Sequence, residues 1–475
     1  MKKYIIFVLL VALSLHADIK ATEPTIDDLI QEIHLLKNEV ATLKKNQTEQ
    51  GVSIGEISDL AESAEANRFK DKINFGLGFK TNIDNFNKKY ADGHTVKSNN
   101  VWSNKFMLHM KADIFDNMNF YGRLSMYKYW GSDIIHPYTY YDNMQGRVPA
   151  DSAVYVERAY INWFFNKGTS YPMALTIGRQ PSADGPSNQF KDNTVRKGTY
   201  SVLLYDGAAD GVVFTTDISE LIDNPQSFLR LGYSKGFGYS ETSPNVGNAF
   251  IGASNNDIKD TNVFGIFLDT TIPNTKNSFI QLSYSHMFNI VANPLDANSS
   301  TNKNIGSVDL FGAMVELTNL NNTHLDLFAQ FGYVSSHPNG ELYPNYGGLL
   351  SASGNTDSKE GYSTWLGMRY GFGTKQKFKV GLEYNQGSQN WINLTQGSFD
   401  IYNKLATRGK AYEAYLMYVI NRYSNIRLGY VNINYEYTRS GWFVGKSEKI
   451  SSSLSHPDEV LESLQSIYLK MNVHF

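Results

Sequence analysis

From about residue 69 to the C-terminus, apolar and polar residues alternate one for one in segments of roughly 10 to 14 residues. A period of two marks a strand with one apolar face. Leu325, Leu327, Ala329, Phe331 and Tyr333 share a face against Asp326, Gln330 and Gly332. Phe378, Val380, Leu382 and Tyr384 do the same against Lys379, Gly381 and Glu383, as do Tyr412, Ala414, Leu416, Tyr418 and Ile420 in their own segment. Sixteen such segments start near residues 69, 102, 117, 154, 171, 207, 227, 261, 278, 306, 322, 361, 376, 410, 424 and 464. Their length is what a tilted strand needs to cross hydrocarbon. In that medium every backbone N–H and C=O needs an internal partner, so the sheet must close on itself. The expected fold is an all-β transmembrane antiparallel β-barrel of about 16 strands, within a range of 14 to 18, over residues 68–475.

The connections carry a second signal. Long stretches at 80–101, 131–153, 181–206, 238–260, 289–305, 336–360, 388–409 and 438–463 alternate with tight ones such as Asn421 to Ser424. Outer-membrane barrels have this asymmetry of short turns and long loops. A Lys or Arg at the lipid midplane costs roughly 2–4 kcal/mol, so strand charges are expected to face inward. That places Lys105, Lys111, Arg123, Arg230, Arg369, Lys379, Glu383 and Arg427 on the lumen wall. Glu157 breaks the pattern. Alternation puts it with Ala159, Ile161 and Trp163 on the lipid face, near the outer rim. Trp102, Trp130, Trp163, Tyr171, Tyr370, Tyr423 and Tyr437 fall near strand ends, where interfacial girdles sit, and a barrel this wide is expected to have no dry core.

The N-terminus addresses the chain. Lys2 and Lys3 precede the apolar run Tyr4–Leu15, and Ala17 offers a small residue for cleavage, so residues 1–17 read as a signal peptide. Residues 18–67 then show a heptad pattern. Ile26, Ile33 and Val40 fall at a, and Leu29, Leu36 and Leu43 at d. The expectation is a periplasmic coiled-coil stalk and a homo-oligomer, the rival being one amphipathic helix on its own domain. β-branched residues at a with Leu at d favour a dimer, while a trimer would suit a barrel.

Composition excludes other classes. There is no Cys in 475 residues, which removes disulfides, thiol catalysis and thiolate metal sites. A net charge of -3 argues against nucleic acid. No HExxH, P-loop or GxSxG occurs and the His residues are scattered, so no enzyme, no cofactor and no metal is expected.

Two stretches bear family marks. The segment Ile177-Gly178-Arg179-Gln180-Pro181-Ser182-Ala183-Asp184-Gly185-Pro186 is followed by Arg196-Lys197-Gly198-Thr199-Tyr200 and Asp210-Gly211-Val212. On these residues the chain resembles an outer-membrane, porin-like family of Campylobacterota and related bacteria that carries a domain of unknown function. The resemblance implies a barrel and an outer-membrane address, and no substrate. The last strand, with Leu469, Met471, Val473 and the terminal Phe475 on one face, resembles the C-terminal signal read by the barrel-assembly machinery. Expected partners are that machinery, outer-membrane lipid and lipopolysaccharide.

By position, 181–206 resembles the third loop of porins, which folds inward and narrows the pore. Arg179, Asp184, Lys191, Asp192, Arg196 and Lys197 would then form a constriction whose opposed charges filter ions. An ordinary solvated loop and a plug or partner-binding loop are the other readings. The expected function is passive diffusion of small hydrophilic solutes or ions. An adhesin or structural surface protein with a plugged lumen is the alternative, and a barrel enzyme the third. A basic excess on the wall would favour anions, against the acidic balance of the whole chain.

Overall fold

The computed structural model describes residues 73–131, 152, 154–180, 184–207, 209–237, 258–275, 277–292, 302–394 and 402–475. Among these run β1 (Asn74–Tyr90), β2 (Thr95–Phe115), β3 (Met118–Tyr129), β4 (Tyr155–Phe165), β5 (Met173–Arg179), β6 (Asp210–Asp217), β7 (Phe228–Phe237) and β8 (Thr261–Thr271). They continue with β9 (Phe279–Phe288), β10 (Gly306–Leu317), β11 (Leu325–Pro338), β12 (Glu360–Phe372), β13 (Phe378–Gly387), β14 (Gly409–Asn421), β15 (Ser424–Tyr435) and β16 (Leu461–His474). Each strand pairs antiparallel with its sequence neighbours, and β1 pairs with β16, so the barrel is closed at sixteen strands. The seam is sealed to its end: Leu77 N donates to Phe475 O at 2.7 Å and Phe475 N to Leu77 O at 2.9 Å. No open edge remains, as hydrocarbon requires. Residues 1–67, on which the signal-peptide and coiled-coil readings fall, lie outside the described residues.

Side chains sort as the pleat dictates. Leu282, Phe311, Phe331, Leu366, Leu382, Leu416, Leu428 and Leu469 are exposed on the outer face. Met471 and Phe475 are exposed on that face too. Aromatic pairs mark both rims: Trp102 with Trp130 at the loop end (5.2 Å), and Trp163 with Phe165 (5.8 Å) and Phe378 with Tyr418 (4.9 Å) at the turn end. Such rings suit the interface between hydrocarbon and water.

Three expectations need correction. The stretch 80–101 is not a loop. β1 has 17 residues and β2 has 21, and they form a long hairpin joined only by residues 91–94. Asp92-Gly93 is the turn signal that alternation alone does not weigh, and Gly93 takes φ 94° there. Glu157 does not face lipid. Arg123 pairs with Arg158 and Leu124 with Val156, so Glu157 is the extra residue of a β-bulge. The bulge turns Glu157 and Arg158 both inward, and each is buried.

The third correction concerns the interior, which does contain dry cores. Leu203 and Leu204 pack with Ile290, Ile305, Val308, Leu310, Leu349, Leu350, Trp365 and Trp391 in one apolar cluster against the β8–β12 wall. A second cluster joins Phe86, Val101 and Tyr129 to Tyr402, Val431, Ile433 and Leu464. Wall glycines make room. A Cβ on Gly312 would stand 2.3 Å from Leu204, and one on Gly332 would stand 2.5 Å from the Trp391 ring. Glycine inside these strands therefore marks close approach by a loop side chain.

Candidate functional site: the inward loop and its wall

The chain between β5 and β6 enters the lumen. Asp184 takes φ 58° at its base, and its backbone N–H donates to Asp206 Oδ1 at 3.0 Å, pinning the two ends of the loop together. Gly185 permits the turn: a Cβ there would lie 2.2 Å from Tyr200 O. A single helical turn follows, α1 (Asn188–Asp192). Five residues cannot sustain a helix alone, and the last carbonyls of a helix lack internal partners. Here the wall supplies them. Arg369 donates to Phe190 O at 2.7 Å, Arg427 donates to Lys191 O, and Asn425 and Asn472 each donate to Asp192 O at 2.9 Å. Lys379 Nζ adds a bond to Asn193 Oδ1 at 2.7 Å. Cations at a helix C-terminus also complement its dipole.

The other end of α1 meets donors and acceptors on the opposite wall. Ser187 and Gln189 donate to Glu316, the latter at 2.7 Å. Gln330 donates to Pro186 O at 2.8 Å and accepts from Ser201 Oγ at 2.6 Å. Lys80 Nζ holds Asp192 at 2.7 Å, while Arg123 and Arg158 face Asp184 at 2.7 and 3.6 Å. With Gln281 on β9 and Glu413 on β14, the loop has polar contacts to β1, β3, β4 and each of β9 to β16, and spans the lumen.

Of the residues assigned to the constriction, Asp184, Lys191, Asp192, Arg196 and Lys197 lie on this loop. Lys191 is buried 3.9 Å from Glu413, and the Arg196 guanidinium sits 4.2 Å above the Phe279 ring. Arg179 does not join them. It shares the outward face of β5 with the exposed Ile177 and pairs with Asp210 across the rim at 3.0 and 2.8 Å. The wall residues face inward as alternation requires. Lys105 and Arg123 both hold Glu157 at 2.9 Å, Arg230 holds Asp269 at 2.5 Å, Arg369 holds Asp326 at 2.8 Å, and Lys111 lies 3.4 Å from Asp113. Arg369, Lys379 and Arg427 are employed in fastening the loop.

A second inward loop was not foreseen from the sequence. Residues 388–394 and 402–408 pack beside the first: Asp206 N donates to Leu394 O and Leu394 N to Leu204 O, both at 2.8 Å. Its Lys404 is buried and bonds both Glu383 and Glu413 on the wall, while Trp365 Nε1 donates to Glu383 at 3.0 Å. Gly332, where a Cβ would stand 2.5 Å from the Trp391 ring, was the available signal for it.

Charge sets the state of the loop carboxyls. Burial alone would raise Asp184, but Arg123, Lys80, Lys105 and Arg158 outweigh it and hold the carboxyl well below its ordinary range. Burial likewise opposes ionisation of Asp192, and Lys80 and Arg427 overcome it.

A closed sixteen-stranded antiparallel barrel crossed by an inward loop defines a porin-like β-barrel. The chain is similar in fold to Pseudomonas putida OprB in a high-pH structure, at 14% identity and TM-score 0.50, covering 86% of this chain and 96% of that one. It also matches Salmonella typhi OmpF in complex with daunomycin (11% identity, TM-score 0.45, 86% and 99% covered). A third match is Vibrio cholerae OmpT lacking loop L8 (10% identity, TM-score 0.42, 85% and 100% covered). By sequence, residues 95–475 match the family described as protein of unknown function (DUF3373), and the chain belongs to that family. No curated protein matches it.

Proposed function

We propose that the protein is an outer-membrane pore for passive diffusion of small hydrophilic solutes or ions. It catalyses no reaction, needs no cofactor and binds no nucleic acid. The observation that carries this reading is the loop at 184–207. It crosses the lumen and, among the described residues, is held there by charged and amide side chains from eleven strands, the arrangement of a selectivity element in a water-lined passage. In the same reading, Leu469, Met471, Val473 and Phe475 on the outer face of β16 present the assembly signal to the barrel-assembly machinery. The outer belt meets lipid and lipopolysaccharide, and residues 18–67 form a periplasmic stalk joining a dimer or trimer.

Purified protein in planar bilayers should show stepwise conductance. A folded barrel without conductance would reject the pore. A plugged surface protein is the second reading, favoured by the apolar cluster that buries Leu204 and Trp391 inside the lumen; binding of cells or matrix by a silent barrel would support it. The stalk predicts that Leu36→Ser with Leu43→Ser abolishes SDS-resistant oligomers. Oligomers that persist in that variant would assign assembly to the barrel instead.

A further inference from the structure

Each junction of the barrel but one joins strands that follow one another in the chain. The exception is the seam, where β16 pairs with β1. Bringing together strands from opposite ends of a chain carries the largest loop-closure cost. The turn end of the seam is also where β16 ends, one residue before the C-terminal Phe475. Terminal residues fray unless something ties them down. The barrel is therefore most liable to open there.

The inward loop meets the seam at that end. Lys80 stands opposite Asn472 in the β1–β16 ladder, and Asn472 stands opposite Asn425 in the β15–β16 ladder. The three side chains form one inward-facing row across three strands, close to the last seam pair, Gly78 with His474. Each is at most 7% exposed. All three end on one residue of α1. Lys80 Nζ contacts Asp192 Oδ2 at 2.7 Å, while Asn472 and Asn425 both donate to Asp192 O at 2.9 Å. Further along β15, Arg427 donates to Lys191 O and lies 3.8 Å from Asp192 Oδ1. Asp192 thus takes β1 with its carboxylate and β15 and β16 with its carbonyl, bridging the seam from inside.

A tie needs a fixed post. The start of α1 is moored across the lumen, where Ser187 and Gln189 donate to Glu316 on β10 and Gln330 on β11 donates to Pro186 O at 2.8 Å. Lys379 on β13 holds Asn193, the residue after the helix, at 2.7 Å. The helical turn is a strut that runs from the β10–β11 wall to the seam.

We propose that Asp192 is a clasp for the barrel seam, binding β1 to β16 from the lumen side and keeping the C-terminal end of their ladder from opening toward lipid. The clasp acts whether or not the lumen conducts. It also orders assembly. The row Lys80, Asn472 and Asn425 completes its bonds only when α1 stands in the lumen, so loop docking and closure of the turn end of the seam are one event.

Amide hydrogen exchange of the full-length protein in lipid vesicles tests this. Peptides from β1 and β16 report the seam, and peptides from β8 and β9 report a hairpin on the far side of the barrel. Asp192→Ala should speed exchange roughly tenfold at the turn end of β1 and β16, the effect of losing one charge-assisted bond, and leave β8 and β9 unchanged. Asn472→Val cuts the other arm without altering the loop, and should speed the same amides severalfold. Seam exchange that is unchanged in both variants would overturn the clasp. So would a rise of equal size in β8 and β9, which would make Asp192 a support of the whole barrel. If Asp192→Ala does not fold, Asn472→Val decides alone on the same two outcomes.

Discussion

Glu157→Leu is expected to destabilise the barrel by about 3–5 kcal/mol, the cost of removing one member of a buried charge network. Glu157 is 3% exposed, holds Lys105 and Arg123 at 2.9 Å each, and accepts from Ser125 Oγ as well. Leucine would add apolar contact, but it would face a guanidinium and an ammonium that lose their shared carboxylate. A surface pair provides the scale. Lys89 and Glu462 meet at 2.7 Å with both side chains well exposed, and Glu462→Leu should cost no more than about 1 kcal/mol after screening by water. The two variants can be compared by the urea midpoint of vesicle-reconstituted barrel, read as heat-modifiable mobility on a gel. Equal midpoints would show that the inward turn of Glu157 carries no energetic weight.

Glu157 also shows where reading the sequence stops. Alternation is a statement about parity, and it holds for as long as the ladder gains no residue. All sixteen strands were legible because membrane solvation forces every residue of a strand to choose a side. A single β-bulge shifts parity without altering composition, so alternation assigned Glu157 to lipid when the fold buries it. Arg179 failed for the opposite reason. It continues the outward parity of Ile177, but its place beside a charged loop made it look like part of that loop. The pair with Asp210 at the rim follows from the register of β5 against β6, which one strand alone does not reveal.

The interior was less legible still. The wall cations were found, but Arg369 and Arg427 fasten the loop through backbone carbonyls of α1, and a carbonyl has no signature in sequence. Gln330 and Gln281 are uncharged and were passed over, yet both brace the loop: Gln281 accepts from Ser201 N at 3.0 Å and Gln330 from Leu203 N at 3.2 Å. The dry clusters escaped because alternation was taken to mean wet inside and oily outside. Gly312 and Gly332 contradict that rule locally. Each leaves a hollow on the inner wall that Leu204 or Trp391 fills, so the loops are packed there as firmly as a soluble core. Polar anchors then set where α1 lies, and apolar sockets set that it stays.

That division of labour predicts the largest change in conduction. Replacing residues 187–199 by a short Gly-Ser link should raise single-channel conductance several-fold. The excised part holds α1 and its charged tip, while Val202 N still donates to Pro186 O at 3.0 Å across the cut. Leu203, Leu204 and Tyr205 remain in the apolar cluster, so the barrel keeps its internal brace. An unchanged conductance would mean that the loop does not limit flow. The anchors also fix the pH response. The folded-state values of Asp184 and Asp192 lie below the ordinary carboxylate value of 3.8, so their contribution is fully present above that value and is lost as pH falls through the depressed ones. Conductance of the intact protein should therefore stay level from neutral pH down to the ordinary carboxylate range. Only in stronger acid should it climb toward that of the excised form, as Lys80, Arg123 and Arg158 lose the charges that hold the loop across the lumen. A rise already complete at mildly acid pH would place the latch elsewhere.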